Sequence, residues 1–301
     1  MIQSLSSDAE RFLSTMASLN ERLSRVEQQV SSGKRLTKAS DEPDSVTQLL
    51  SVRAELARLE QTQSNLSRVK TEVDTAEQSL QSAVSLFDRV RTLGMTGAGT
   101  NQTAQTRQII ADELGGILER MVGLANTSVD GRYVFSGDTD QQTPYAYDTT
   151  SVPPWGAYQG AVSTRQTMHP LGITYAIAKD AQEIFDNADA SRNVFQTIDT
   201  LRAALLSNDD AAIKAAVEPL AGVSSHLNGM LSFYGTAQSQ TADATDTAAK
   251  MKMRLQTQLS ETEDADITSA IVEMEQLRFS QQAALEVRGS LPQQTLFDYM
   301  K

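Results

Sequence analysis

The sequence contains no cysteine, which excludes disulfides, thiolate catalysis and cysteine-ligated zinc and leaves the redox compartment open. Aromatic residues make up only 5% of a chain that is 40% hydrophobic. With many Ala, Ser, Thr and Gln, that balance suits long thin helices better than a thick globular core. No run of about 18 apolar residues occurs, so no segment reads as a membrane span and no membrane insertion is expected. Met1-Ile2-Gln3-Ser4 has neither a basic region nor an apolar core, so a cleaved signal peptide is not expected. Positive charge is in deficit: 26 Lys and Arg against 38 Asp and Glu give a net charge of -12. An acidic surface argues against nucleic acid and anionic membrane as partners.

Catalytic and metal-binding signals are equally sparse. His169 and His226 stand without His, Cys or Glu at metal-ligand spacing. Asp138-Thr139-Asp140 opens like a calcium loop, but Thr143 stands where Gly is needed and Thr149 where Glu should close it. Ser32-Gly33-Lys34 follows a helix and lacks the upstream Gly of a phosphate loop. No catalytic residue, metal ligand or cofactor is assigned.

What the chain does have is heptads. Leu5, Phe12, Leu19 and Val26 recur every seven residues, and Ala9, Met16, Leu23 and Val30 fill the second seam position. The stripe is narrow and everything around it is polar, so this helix needs a partner helix. The best candidate is the other end of the chain, where Ala270, Met274, Leu277, Gln281, Ala284, Arg288 and Leu291 repeat the spacing, flanked by Ile267 and Ile271. The two ends suit each other, or copies of themselves. We therefore take Leu5, Phe12, Met16, Leu19, Leu23, Val26, Val30, Ile267, Ile271, Met274, Leu277, Leu291 and Phe297 as the assembly seam.

Between the ends, Gly33 suits the residue just past a helix C-terminus, and Ser40-Asp41-Glu42-Pro43-Asp44 reads as a helix start. The next helix is predicted from about 44 to 93, with a three-residue-step irregularity between Leu59 and Val69 that should overwind a supercoil. Gly94, Gly97 and Gly99 predict a loop to Thr103. A third helix carries Ile110, Leu114, Ile117, Met121 and Leu124 on one face, weakened by Gly115-Gly116.

From Asp130 to about 180 the pattern breaks, and four of the seven prolines fall between residues 144 and 170. Gly131 to Gly137 reads as a short strand, in a β-rich insertion with Trp155 in its own core. Asp130 and Arg132 are candidates for a pair that positions the strand. Val194, Ile198, Leu201 and Leu205 mark a further helix, and from Leu220 a regular seam runs through Val223, Leu227, Tyr234, Ala237, Thr241, Ala244 and Ala248. The acids at 261–266 read as a solvated capping segment. Their alternative role is to answer Lys34, Arg35 and Lys38 on another subunit.

Helical ends enclosing a β insertion resemble the flagellin superfamily. The motifs that carry the resemblance are Val30-Ser31-Ser32-Gly33-Lys34-Arg35-Leu36, Ser40-Asp41-Glu42-Pro43, Ala125-Asn126-Thr127 with Gly131-Arg132-Tyr133-Val134-Phe135-Ser136-Gly137, and the tail from Ser290 to Met300. They are most similar to the members that join hook to filament. The resemblance implies a mainly α, elongated, flagellin-like bundle: terminal coiled-coil helices at 1–40 and 265–301, a helical rod at 41–129 and 181–264, and the β-rich inserted domain at 130–180. It further implies an extracellular structural subunit of the bacterial flagellum, exported without signal cleavage and helped by an export chaperone. Its partners would be copies of itself in an axial ring, a hook-associated protein on the hook side and flagellin on the filament side. The terminal helices are expected to be disordered alone and to order among neighbours. The alternatives are a filament flagellin and an enzyme or ligand-binding module in 130–180.

Overall fold

The computed structural model describes residues 2–36 and 43–290, with side chains described for 9–36 and 45–289. The chain forms helix α1 (Ile2–Ser32), α2 (Pro43–Gly97) and α3 (Ala104–Ala125), then strands β1 (Ser128–Val129), β2 (Arg132–Tyr133), β3 (Gln166–Met168) and β4 (Thr174–Ala176). It continues through α4 (Ala181–Phe185), α5 (Val194–Ser207), α6 (Asp210–Val217), α7 (Leu220–Glu263) and α8 (Ile267–Ser290). Two compact units result: residues 1–58 with 251–301, and residues 59–250, the division falling inside α2 and α7.

The unit at 59–250 is built on the middle heptads. Val73, Ala76, Leu80, Ala83, Phe87 and Val90 of α2 share one hydrophobic core with Ile110, Leu114 and Met121 of α3, Ile198 and Leu201 of α5 and Val223, Leu227 and Tyr234 of α7. The pattern was legible because the seams carry the apolar residues and little else does. Capping is local and regular: Thr103 accepts from the Thr106 amide to start α3, and Asp209 accepts from the Ala211 and Ala212 amides to start α6. Asn208, at φ 51°, closes α5 in the left-handed conformation.

The helix predicted to stop at 93 runs on to Gly97. Its glycines are not breakers but contact residues. A Cβ on Gly94 would lie 3.0 Å from Leu201 Cδ2, and one on Gly97 only 2.5 Å from Leu205 Cδ2. Small residues here let α5 lie against the helix.

The segment from 130 to 180 contains short strands and long pinned loops. Asp130 (φ 51°) and Gly131 (φ 77°) form the two-residue turn of the β1–β2 hairpin, the Asp-Gly pair favoured where both φ values are positive. Arg132 pairs with Asp140 at 3.2 Å rather than with Asp130. Asn126 ties the end of α3 to the loop, donating to the Tyr145 carbonyl at 2.8 Å and accepting from its amide at 3.0 Å. Phe135 packs edge-on against Phe185 and Tyr234, and Tyr145 against Phe195. Trp155 lies 5.5 Å from the ring of Phe195 on α5. Trp155 therefore joins the core the helices already share, and no separate core forms around it.

Candidate assembly interface

The other unit brings the two chain ends together. Val26 of α1 is buried with Ala270 and Leu277 of α8, and Leu19, Leu23, Val30 and Met274 pack against them. Polar seam positions are matched as well: Gln281 donates to Asn20 at 2.8 Å, and the Arg288 guanidinium sits 5.6 Å from the Phe12 ring centroid. Arg22 pairs with Glu273 at 2.8 Å and Arg278 with Glu27 at 3.0 Å along the flanks. The helices run antiparallel, since Phe12 meets Arg288 while Gly33 meets Ala265. Phe12 and Met16 are half-buried on α1. The Leu5 side chain, Leu291 and Phe297 lie outside the described residues.

Of the choices the sequence left open, the structure shows the two ends paired with each other inside one chain. Each of the two helices supplies the seam the other lacks. A different surface is then left outward. Ile267 and Ile271 are 38% and 42% exposed, while Val272 is 55% and Phe279 73% exposed. Val272 and Phe279 are seven residues apart on the face opposite Ala270 and Leu277. Together with Leu13 of α1, 66% exposed, they are large apolar groups turned to solvent where a heptad reading alone would not look for them. Periodicity reports one seam per helix, and α8 carries two apolar stripes.

The turn that joins the ends is held by charge. The Glu263 side chain, only 4% exposed, takes Lys34 and Arg53 on the same oxygen, Arg53 at 2.7 Å. Around it the Arg35 amide donates to the Glu263 carbonyl at 2.7 Å, the Ala265 amide to the Gly33 carbonyl at 2.9 Å, and the Arg35 guanidinium to the Thr262 carbonyl at 3.0 Å. Gly33 at φ 71° lets the chain turn into this contact. Burial by itself would raise the Glu263 carboxyl, but the hydrogen bonds and charges of Lys34 and Arg53 outweigh it and hold it below the ordinary value. Within the chain Glu263 of this acidic segment takes Lys34, while Arg35 binds backbone carbonyls of Thr262 and Glu263; Lys38 lies outside the described residues. Asp266 starts α8, accepting from the Ser269 hydroxyl at 2.7 Å and from the Ser269 and Thr268 amides at 3.2 and 3.0 Å, and these bonds, the hydroxyl's first, lower its carboxyl.

The residues weighed for chemistry have structural work. His226 Nε2 lies 3.0 Å from the Glu183 carbonyl at the end of α4, and the Leu171 amide donates to His169 Nδ1 at 3.1 Å. Asp138 accepts from the Thr164 amide and hydroxyl. Among the described residues no group of three or more His, Asp or Glu is placed to hold a metal ion, and no helix is long and apolar enough to cross a membrane.

Comparison with known proteins gives first a class. Residues 6–140, which carry α1, α2 and α3, match the family model of the bacterial flagellin N-terminal helical region. Over most of its length the chain is similar to flagellar hook-associated protein 3 of Salmonella typhimurium, 26% identical over 286 residues that cover 87% of this chain and 86% of the relative. The fold is that of a solved flagellar hook-associated protein from Vibrio parahaemolyticus (TM-score 0.65, 21% identity, 74% of this chain and 100% of that one). It is also that of the flagellar junction protein of Legionella pneumophila (TM-score 0.57, 12% identity, 73% and 100%).

Proposed function

We propose that this protein is a structural subunit of the bacterial flagellum that sits between hook and filament and assembles through its paired terminal helices. The observation that carries the reading is the paired α1–α8 unit with a second apolar stripe facing outward. The full-length similarity to hook-associated protein 3 supports the junction role over that of a filament flagellin. In this role the chain lies outside the cell in a ring of its own copies, against a hook-associated protein on one side and flagellin on the other. It reaches that place without signal cleavage and with the help of an export chaperone. No chemistry is required of it.

The seam residues Leu19, Leu23, Val26, Val30, Met274 and Leu277 hold the pair together, and Val272 and Phe279 supply the surface for neighbouring subunits. Burying an exposed side chain of that size is worth about 1.5–3 kcal/mol each, so two aspartates in their place remove most of one contact. We expect Val272→Asp with Phe279→Asp to leave circular dichroism and melting unchanged while abolishing incorporation between hook and filament and hence motility. Normal incorporation of the double variant would refute the proposed surface. Unaided polymerisation of the purified chain into long filaments would favour the flagellin reading instead.

A further inference from the structure

The stretch from 149 to 178 is almost free of charge. In a chain that is 21% charged it holds a single Lys, Arg, Asp or Glu, namely Arg165, and that side chain is turned inward onto Glu72 of α2. What remains outside is neutral and apolar: Val152, Val162, Met168, Leu171 and Ile173 are all more than half exposed. The β3–β4 hairpin within this stretch is patterned the wrong way round for a strand pair lying on helices. Its inner face is pinned by polar groups, the Tyr175 hydroxyl donating to Thr241 at 3.2 Å and His169 Nε2 lying 3.3 Å from Asp243 on α7. Met168 and the turn residues Leu171 and Ile173 face water.

The backbone of the hairpin is unfinished as well. The His169 amide donates to the Ile173 carbonyl and the Ile177 amide to the Arg165 carbonyl. With the register Gln166↔Ala176, Thr167↔Tyr175 and Met168↔Thr174, these bonds fix which groups face the partner strand. Thr167 and Tyr175 point their amides and carbonyls into the ladder. Those of Gln166 and Met168 on β3, and of Thr174 and Ala176 on β4, point out of its two edges. Among the described residues these edge groups have no backbone partner, and all four residues are exposed. Natural sheet edges are commonly blunted with Lys or Pro, and neither stands at these four positions.

We infer that this hairpin is a contact between neighbouring copies of the chain, the β4 edge of one copy adding as a strand to the β3 edge of the next. The inference rests on the reading above that copies stand side by side in a ring. Two features select a second copy as the occupant. A net charge of -12 makes copies repel one another, so they meet at least cost where the surface is uncharged. A ring also needs heterologous contacts, one patch of each copy against a different patch of the next. A hairpin with two open edges carries both patches on one element. With three residues in each strand, the edges are too short to hold free copies together, so the contact forms where the ring already brings copies side by side.

The absence of cysteine makes the test direct, because a single introduced cysteine can crosslink only between copies. Chains carrying Gln166→Cys or Met168→Cys are co-expressed with chains carrying Thr174→Cys in cells whose own copy is deleted, and isolated hook–filament structures are oxidised. Disulfides form only where Cα atoms come within about 7 Å, so we expect dimers in the mixtures about tenfold faster than with Lys214→Cys on α6, and none in single-variant preparations of the three hairpin positions. Ala176→Pro removes one outward amide and leaves the ladder bonds in place. Added to the Thr174→Cys chain, it should slow crosslinking about tenfold, the equivalent of one lost backbone hydrogen bond, with the melting temperature unchanged. A chain present between hook and filament that gives no dimer in the mixtures overturns this inference alone. So do dimers in the single-variant preparations, or crosslinking that Ala176→Pro leaves unchanged. A chain that never enters these structures overturns the ring reading, and this inference with it.

Discussion

Arg107 shows what a single residue can decide without any signal in the periodicity. It is the one basic residue of the first turns of α3, and the sequence gives no reason to bury it. In the structure its side chain is only 5% exposed. It donates to the Gly97 carbonyl at 3.1 Å, to Asn208 at 2.7 Å and to Asp210 at 2.5 Å. One guanidinium thus satisfies the end of α2, the left-handed cap of α5 and the first turn of α6, which its planar fork of donors can do and an ammonium cannot. Asp210 is 70% exposed and can return to water, so the loss on mutation falls on the Gly97 carbonyl and on Asn208. We expect Arg107→Met to cost about 2 kcal/mol and to lower the melting temperature by about 4–8 °C, measured by calorimetry. Arg107→Lys should recover only part of it.

At the scale of elements, glycine is where sequence and structure part. In the sequence Gly94 and Gly97 punctuate a helix; in the structure they let Leu201 and Leu205 of α5 sit against it. The two readings predict opposite results. If Gly97 marked a loop or a frayed end, alanine would be neutral or would stabilise by up to about 1 kcal/mol through helix propensity. With Leu205 only 1% exposed and nowhere for its methyl to go, we expect Gly97→Ala to destabilise by about 1–2 kcal/mol net, overpacking outweighing propensity, as read from denaturant midpoints. The α1–α8 element has a matching test. Leu277 is 5% exposed in the seam, and Leu277→Ala should cost about 2–4 kcal/mol. That loss should show as faster amide exchange in α8 and α1, with the exchange of α3 unchanged.

For the whole molecule, the heptads determined most of the outcome by themselves. A narrow apolar stripe on a polar helix can only be buried against another helix, so the mainly α fold and the seam residues from Phe12 to Val30 and Ala270 to Leu277 could be read directly. The Asp130-Gly131 turn and the caps at Thr103 and Asp209 are local chemistry and were equally open to reading. Three things were decided by tertiary structure alone. The pairing of α1 with α8 within one chain brings Val26 against Ala270 and Leu277, residues more than 200 positions away in sequence, and no seam states its own partner. The 130–180 segment draws Phe135, Tyr145 and Trp155 into the common core, because three short strands and their loops cannot bury those rings alone. The outward stripe of α8 became visible only once its other face was covered, since the exposure of a side chain is a property of what packs beside it and not of the residue itself.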